Sequence, residues 1–307
     1  MKVYFLGTAG TVPTKNRNLI GIAIKREGKI FLFDPGENSQ KQMIRLKLSF
    51  LKVHSIFITH LHGDHIMGIP GILMSSDLLN RTNDLLIFGP PGTKKFITSI
   101  LDSIILNIGF DIIIKEVNTK GIIYEDKEFF IKAGLAEHNC FCLYYIFEEK
   151  PRRGKFDRQK AVDLGVPIGP LWKKLQNGED ITLKDGRTIR SRDVVGPPRP
   201  GRKIVIALDT RPTQDILEAS KDADLLIMDG SFSHSLIDKA LETKHSTVKE
   251  SAQLAKNAGV RKLALTHFSS RYTDVSELRD EIKDIFPDAI LTEDLMEIQI
   301  KYRDKEK

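Results

Sequence analysis

Short apolar runs recur along this chain, each broken after a few residues by Gly, Pro or Asn. Lys2 to Leu6, Ile20 to Lys25 and Ile30 to Asp34 come first, rich in Val, Ile and Phe, and read as successive strands joined by turns. A helix is expected near Ser39 to Leu48. Val53 to Thr59 follows, dense in β-branched residues and ending in a cluster of histidines. Further strands are predicted at Leu85 to Phe88, Ile112 to Val117, Glu128 to Leu135 and Leu143 to Phe147, with a helix near Lys94 to Ile105. From Pro151 to Gly201 the texture turns to Pro, Gly and charge with few long apolar runs, which reads as an insertion and not a core element. The alternation then returns. Lys203 to Leu208, Leu225 to Asp229 and Lys262 to Thr266 read as strands, and Asp215 to Ser220 and Thr247 to Ala258 as helices. Strands mixed with helices throughout predict an α/β or layered α+β domain whose sheets are covered by helices. There is no internal repeat of fixed period and no low-complexity tract.

Composition narrows the class. With 307 residues, 41% of them apolar, the chain has material for one large domain or two small ones. Its opening apolar run breaks at Gly7, too early for a signal peptide, and no stretch reaches the roughly 18 uncharged apolar residues of a membrane span. A soluble, cytoplasmic protein is therefore expected. The two cysteines, Cys140 and Cys142, sit two apart and imply no disulfide framework. They are expected as small buried apolar side chains, with metal ligation as the alternative. Net charge is +6, but Lys150 to Lys203 holds 15 Lys and Arg against 6 Asp and Glu, a net +9, which leaves the rest of the chain at −3. A patch of one sign concentrates polyanions and speeds their encounter, which makes nucleic acid the leading partner; a solvated loop is the plainer alternative.

The sharpest chemical signal is His60, His62, Asp64 and His65, spaced H-x-H-x-D-H directly after the predicted strand Val53 to Thr59 and holding three of the chain's eight histidines. Imidazole and carboxylate are donors that Zn²⁺ favours. In an extended loop, residues 60 and 62 project to one side and can share an ion, while Asp64 and His65 turn toward a second. One tetrapeptide cannot complete two tetrahedral sites. His138, Asp209 and His267 each stand where a predicted apolar strand gives way to a polar loop, so all three can converge on one sheet edge. The resulting expectation gives one metal His60, His62 and His138, the other Asp64, His65 and His267, and bridges both with Asp209. A pair of cations so held suits displacement at phosphorus, with Asp64 as the general base and Asp34 orienting a ligand histidine.

Together with these residues, several motifs resemble the ribonuclease Z family of the metallo-β-lactamase superfamily over essentially the whole chain. They are Phe5-Leu6-Gly7-Thr8 through Pro13, Asp34-Pro35-Gly36-Glu37, the H-x-H-x-D-H cluster, Ala207-Leu208-Asp209-Thr210, and Leu265-Thr266-His267-Phe268-Ser269 to Tyr272, all in the family's order. Pro13 to Asn18, with Lys15, Arg17 and Asn18, matches a P-x-K-x-R-N loop that in the family lies near the cleavage site. His245-Ser246-Thr247 resembles the catalytic histidine motif; read bare, His245 is only the neighbour of a Ser helix cap. Gly169-Pro170-Leu171-Trp172 resembles the glycine-proline element of the family's flexible arm. One departure stands out. Where many members carry His-Glu-Ala-Thr, this chain has Met228, Asp229, Gly230 and Ser231, so Asp229, one methylene shorter than Glu, would have to orient His245.

The resemblance implies an αβ/βα sandwich of two packed mixed sheets flanked by helices, made from residues 1–149 and 201–307, with residues 150–200 as an inserted basic arm that grips tRNA. It implies a homodimer with two zinc ions per subunit that removes 3′ trailers from precursor tRNA and leaves a tRNA 3′ hydroxyl. His245 would protonate the departing oxygen, and Lys15, Arg17, Asn18, Gly169, Pro170, Ser269 and Arg271 would contact the RNA. Two rival readings remain open on the residues alone: another two-zinc hydrolase of phosphodiesters or thioesters, and a non-catalytic RNA-binding protein with a structural metal.

Overall fold

The computed structural model describes residues 1–104 and 108–303; the predicted helix end at Ile105 lies outside the described residues. The chain divides into two compact units, one made of Met1–Glu125, Phe130–Phe147 and Arg202–Lys307, the other of Asp126–Phe129 and Glu148–Gly201.

Two seven-stranded sheets build the larger unit. In the first, the strands run in the order Glu297–Gln299, Lys2–Gly7, Gly21–Arg26, Lys29–Phe33, Val53–Phe57, Leu85–Gly89 and Ile112–Glu116. Its early hairpins pair antiparallel, and from Lys29–Phe33 onward each strand pairs parallel with the next. In the second sheet, Lys203–Ala207, Leu225–Asp229, Leu263–Thr266 and Ile290–Leu291 pair parallel, and Cys142–Glu149, Phe129–Ala136 and Gly121–Glu125 complete it. The sandwich of two mixed sheets agrees with expectation.

Alternation along the strands assigns the layers. On Lys29–Phe33, Ile30 and Leu32 pack outward with Met43, Ile69, Ile72 and Ile97 of the covering helices. Phe31 and Phe33, on the opposite face, enter an aromatic layer: Phe33 stacks on Phe57 at 4.9 Å, Phe57 on Phe88 at 5.1 Å, and Tyr145 of the second sheet meets Phe57 at 5.5 Å. Tyr145 is fully buried and donates its hydroxyl to the Ile58 carbonyl at 2.6 Å, so the polar end of the ring is satisfied where it crosses between sheets. Aromatic contact of this kind adds about 0.5–1.5 kcal/mol per pair to the area buried.

The smaller unit holds the helices Arg158–Asp163, Pro170–Gln176 and Ser191–Val194 and a hairpin of Ile181–Thr182 with Thr188–Ile189. Its texture predicts no core. It has one: Ala161, Val166, Leu175, Ile181, Ile189 and Val194 are buried together, with Trp172 against Phe156 at 5.3 Å. These apolar positions are single and separated by charge, so no run betrays them. Among the described residues no helix is long and apolar enough to cross a membrane.

Candidate metal centre

The strand Val53–Phe57 ends inside the first sheet and delivers His60 and His62 on extended backbone. The short helix Gly63–Ile66 then turns Asp64 and His65 back toward them. In the second sheet the register sets Ala207 beside Met228 and Asp229 beside Thr266, so Asp209, Asp229 and His267 all leave the carboxyl ends of neighbouring parallel strands. Such ends are where open α/β sheets collect ligand-binding groups. His138 arrives two residues past the strand Phe129–Ala136. His267 takes a left-handed backbone, φ 61°, and a Cβ on Gly10 would sit 2.5 Å from its ring; only glycine leaves room for it there.

Asp209 is the hub. Its Oδ1 lies 3.3 Å from His65 Nε2 and 3.2 Å from His267 Nε2; its Oδ2 lies 3.7 Å from His60 Nε2 and 3.8 Å from His138 Nε2. On the Oδ1 side, Asp64 Oδ2 is 3.5 Å from both His65 and His267 Nε2, which are 3.3 Å from each other. Four donors held tetrahedrally at 2.0–2.2 Å from one ion stand about 3.3–3.6 Å apart, so these separations are those of a tetrahedral shell. On the Oδ2 side, His60 Nε2 and His62 Nδ1 are 2.8 Å apart, and the His138 ring lies 5.0 Å and 5.2 Å from theirs. Cys140 joins this second group; it is exposed, which corrects the expectation of two buried cysteines, and only Cys142 is enclosed.

A second ring of contacts fixes four of the imidazoles, those of His60, His65, His138 and His267, by the far nitrogen. Asp34, itself in a left-handed backbone conformation, accepts from Thr59 N at 2.6 Å and meets His65 Nδ1 at 2.8 Å. The Ser231 hydroxyl lies 3.1 Å from His267 Nδ1, the Lys244 carbonyl 3.2 Å from His138 Nδ1, and Thr59 Oγ1 2.9 Å from His60 Nδ1. Every one of these rings thereby turns its Nε2 to the centre, the arrangement by which proteins set ligand tautomers. His138 Nε2 and Asp209 Oδ1 are buried and make no hydrogen bond, a costly state unless something else satisfies them. A cation would, and the nitrogen and oxygen donors fit a divalent metal ion.

Electrostatics agree. Burial works against charge on Asp209, but His267 and His65 overcome it and hold the carboxyl well below its usual range. Burial, with His65 nearby, pushes His60 down to about 2, leaving a neutral ring able to ligate. His245 behaves differently: burial opposes its charge, yet Asp229 Oδ2, 2.7 Å from Nδ1, raises it to about 9. Its Nε2 faces Asp209 Oδ2 at 3.9 Å. Asp229 therefore spans the distance despite its shorter side chain. It also accepts from the backbone of Ser231 at 2.8 Å. The cap of the helix Val248–Asn257 is Thr247, in a reciprocal pair with Glu250, and not the Ser246 suggested by the sequence.

Around this centre, Arg17 spends its guanidinium inward, donating to Thr8 Oγ1 at 2.9 Å and the Thr292 carbonyl at 3.0 Å. Asn18 donates to Asp294 from backbone and side chain at 2.7 and 2.6 Å, and Asp294 also accepts from Thr8 at 2.8 Å. Lys15 and Arg271 are exposed, the latter bonded to Ser269 Oγ at 3.0 Å and lying over the Phe232 ring. Gly169 and Pro170 open a helix of the smaller unit. Ser231, Thr59 and Gly10 carry no signal in the sequence, where nothing marks a lone small residue as the neighbour of a distant ring.

Comparison with known proteins places this geometry. A sequence profile described as "Anti-Pycsar protein Apyc1" matches residues 1–103, the part holding the H-x-H-x-D-H loop. The chain is 46% identical over 305 residues to Ribonuclease Z of Methanosarcina acetivorans, covering 99% of each, and 40% identical over 306 residues to Ribonuclease Z of Treponema denticola, again 99% of each. Among solved structures it resembles the short form of human tRNase Z with a TM-score of 0.73 and 27% identity, covering 98% of this chain and 100% of that one. The metallo-β-lactamase fold protein YhfI from Bacillus subtilis shares the fold alone, at a TM-score of 0.68 and 17% identity, covering 97% and 98%. The two-sheet sandwich is thus a metallo-β-lactamase fold, and on full-length identity to its curated relatives the chain belongs to the ribonuclease Z family.

Proposed function

We propose that this chain is a zinc-dependent endoribonuclease that removes the 3′ trailer from precursor tRNA. Two zinc ions per subunit would be held, one by His60, His62 and His138 and the other by Asp64, His65 and His267, with Asp209 between them. The observation that carries the reading is Asp209, whose two buried oxygens each face a separate set of donors. An imidazole-rich set favours zinc over magnesium, which prefers oxygen and water. The substrate class is supported by the family and by the likeness to human tRNase Z.

When bound, a pair of zinc ions supplies polarisation of the phosphodiester and a nucleophilic water at neutral pH. The chain's own residues divide the remaining work. Asp64, whose Oδ2 lies 3.5 Å from both His65 and His267 Nε2, is the carboxylate that accepts the proton of the attacking water. His245 carries a proton on a ring steadied by Asp229 and gives it from Nε2 to the departing oxygen, leaving a 3′ hydroxyl on the tRNA and a 5′ phosphate on the trailer. Lys15 and Arg271 are the exposed cations that meet phosphate, Arg17 and Asn18 hold the Pro13 to Asn18 loop in place, and Ser269 steers the Arg271 guanidinium. The basic smaller unit, with Gly169 and Pro170 at its helix start, grips the body of the tRNA through phosphate and shape, without reading sequence. A homodimer is part of this reading, and the exposed apolar side chains Met74 and Leu78 of the helix Ile69–Leu78 are compatible with it; sedimentation at twice 34.7 kDa checks it.

The test is incubation of purified protein with a trailer-bearing precursor tRNA, with and without chelator, beside His65→Ala. A single cut after the mature 3′ end is expected, abolished by chelator and by the substitution. A cut that survives either one overturns the proposal.

A further inference from the structure

The histidine trio on the Oδ2 side of Asp209 has a neighbour that the proposed function does not use. Ligand atoms of His60, His62, His138 and Cys140 all lie within 4.8 Å of one another. The set has two sides: His60 and His138 are buried, His62 and Cys140 exposed. His138 adds an independent sign that a ligand belongs here. Its side chain is only 2% exposed, its Nδ1 is engaged by the Lys244 carbonyl, and its Nε2 has no hydrogen-bond partner. Cys142 differs in kind, since it is enclosed and its sulfur lies 3.5 Å from the Asp209 backbone carbonyl.

We propose that Cys140 is a sulfur ligand of this position, so that an ion seated there is gripped from the protein side by His60 and His138 and from the solvent side by His62 and Cys140. The inference rests on the metal reading above and adds a donor to it. Three imidazoles and a thiolate, beside the Asp209 carboxylate already assigned to this position, form a nitrogen- and sulfur-rich set that zinc, cobalt and cadmium take readily and that hard ions such as magnesium decline. On binding, the S–H bond of Cys140 breaks, a sulfur–metal bond forms, and the proton passes to solvent. The position then prefers thiophilic ions to a degree that the Asp64, His65 and His267 side, with no sulfur, does not match.

Cobalt(II), titrated into untagged, metal-free full-length protein, reports both statements at once. Visible d–d bands register cobalt held by the protein, and a near-ultraviolet thiolate-to-cobalt charge-transfer band registers sulfur. Wild type should show both. Cys140→Ser should keep the d–d bands and lose the charge-transfer band, while Cys142→Ala should keep both. A wild-type spectrum with d–d bands and no charge-transfer band, or a charge-transfer band unchanged in Cys140→Ser, overturns the sulfur ligand and leaves the metal centre standing. Absence of the d–d bands in wild type overturns the metal centre and the sulfur ligand together.

Discussion

Four aspartates meet around one small volume, and their surroundings give them different work. Asp64 and Asp209 point at the donor atoms, whereas Asp34 and Asp229 hold histidines from behind, at 2.8 and 2.7 Å. The two supporting carboxylates therefore predict separable defects. Asp34→Asn loosens His65 and should weaken metal affinity about 10–100-fold, read by competition with a chelator. Asp229→Asn leaves the metal donors alone and deprives His245 of the carboxylate that keeps it charged. It should lower kcat about 10²–10⁴-fold with metal content unchanged. Equal metal loss in both variants would show that Asp229 shapes the ligand shell and not the proton donor. The H-x-H-x-D-H residues are legible from spacing, because local sequence puts them side by side. His138, Asp209 and His267 are legible only as strand ends. Ser231 and the exposure of Cys140 are not legible at all, since each is decided by which loop packs against it.

At the scale of elements, the centre depends on where strands stop. Parallel register carries Asp209, Asp229 and His267 to a common edge, and the segment after Leu225–Asp229 passes through the helix Ile237–Thr243 and then His245 into the helix Val248–Asn257. That helix begins with Thr247 accepting from Glu250 N at 3.3 Å and Glu250 accepting from Thr247 N at 3.0 Å. Glu250 also pairs with Arg211, whose guanidinium reaches the His245 carbonyl. Thr247→Ala should cost about 1 kcal/mol, seen as a lower midpoint in denaturant with an unchanged slope, because it removes a cap and exposes no core. The apolar strands are readable because a short β-branched run bounded by turn residues suits a buried strand and is too short for a buried helix. The helix Ile69–Leu78 has no such mark; it is mostly apolar, carries Pro70 in its first turn and shows no polar stripe to give it a period. The strand Gly121–Glu125 escapes prediction for the opposite reason, as an edge strand with most of its residues exposed.

For the whole molecule, the two units separate the roles assigned to them. All proposed metal donors belong to the larger unit, which has its own cores, while the cationic excess belongs to the smaller, with a core of six residues. Deleting Pro151 to Val195 should therefore spare turnover of a small chromogenic phosphodiester and abolish turnover of precursor tRNA. Equal loss on both substrates would mean that the larger unit cannot hold its shape alone. The smaller unit is legible by charge and not by its core, because its apolar residues come one at a time.

Asp294 reaches back 286 positions to Thr8 and 276 to Asn18, and His267 closes a shell with His65, 202 positions before it. During synthesis the histidine loop leaves the ribosome early and these partners late. A nascent chain thus displays the loop through a long stretch of translation without Asp209 or His267 to complete it. On the proposed reading, translation products truncated before His267 carry the motif without its distant partners and should cut nothing.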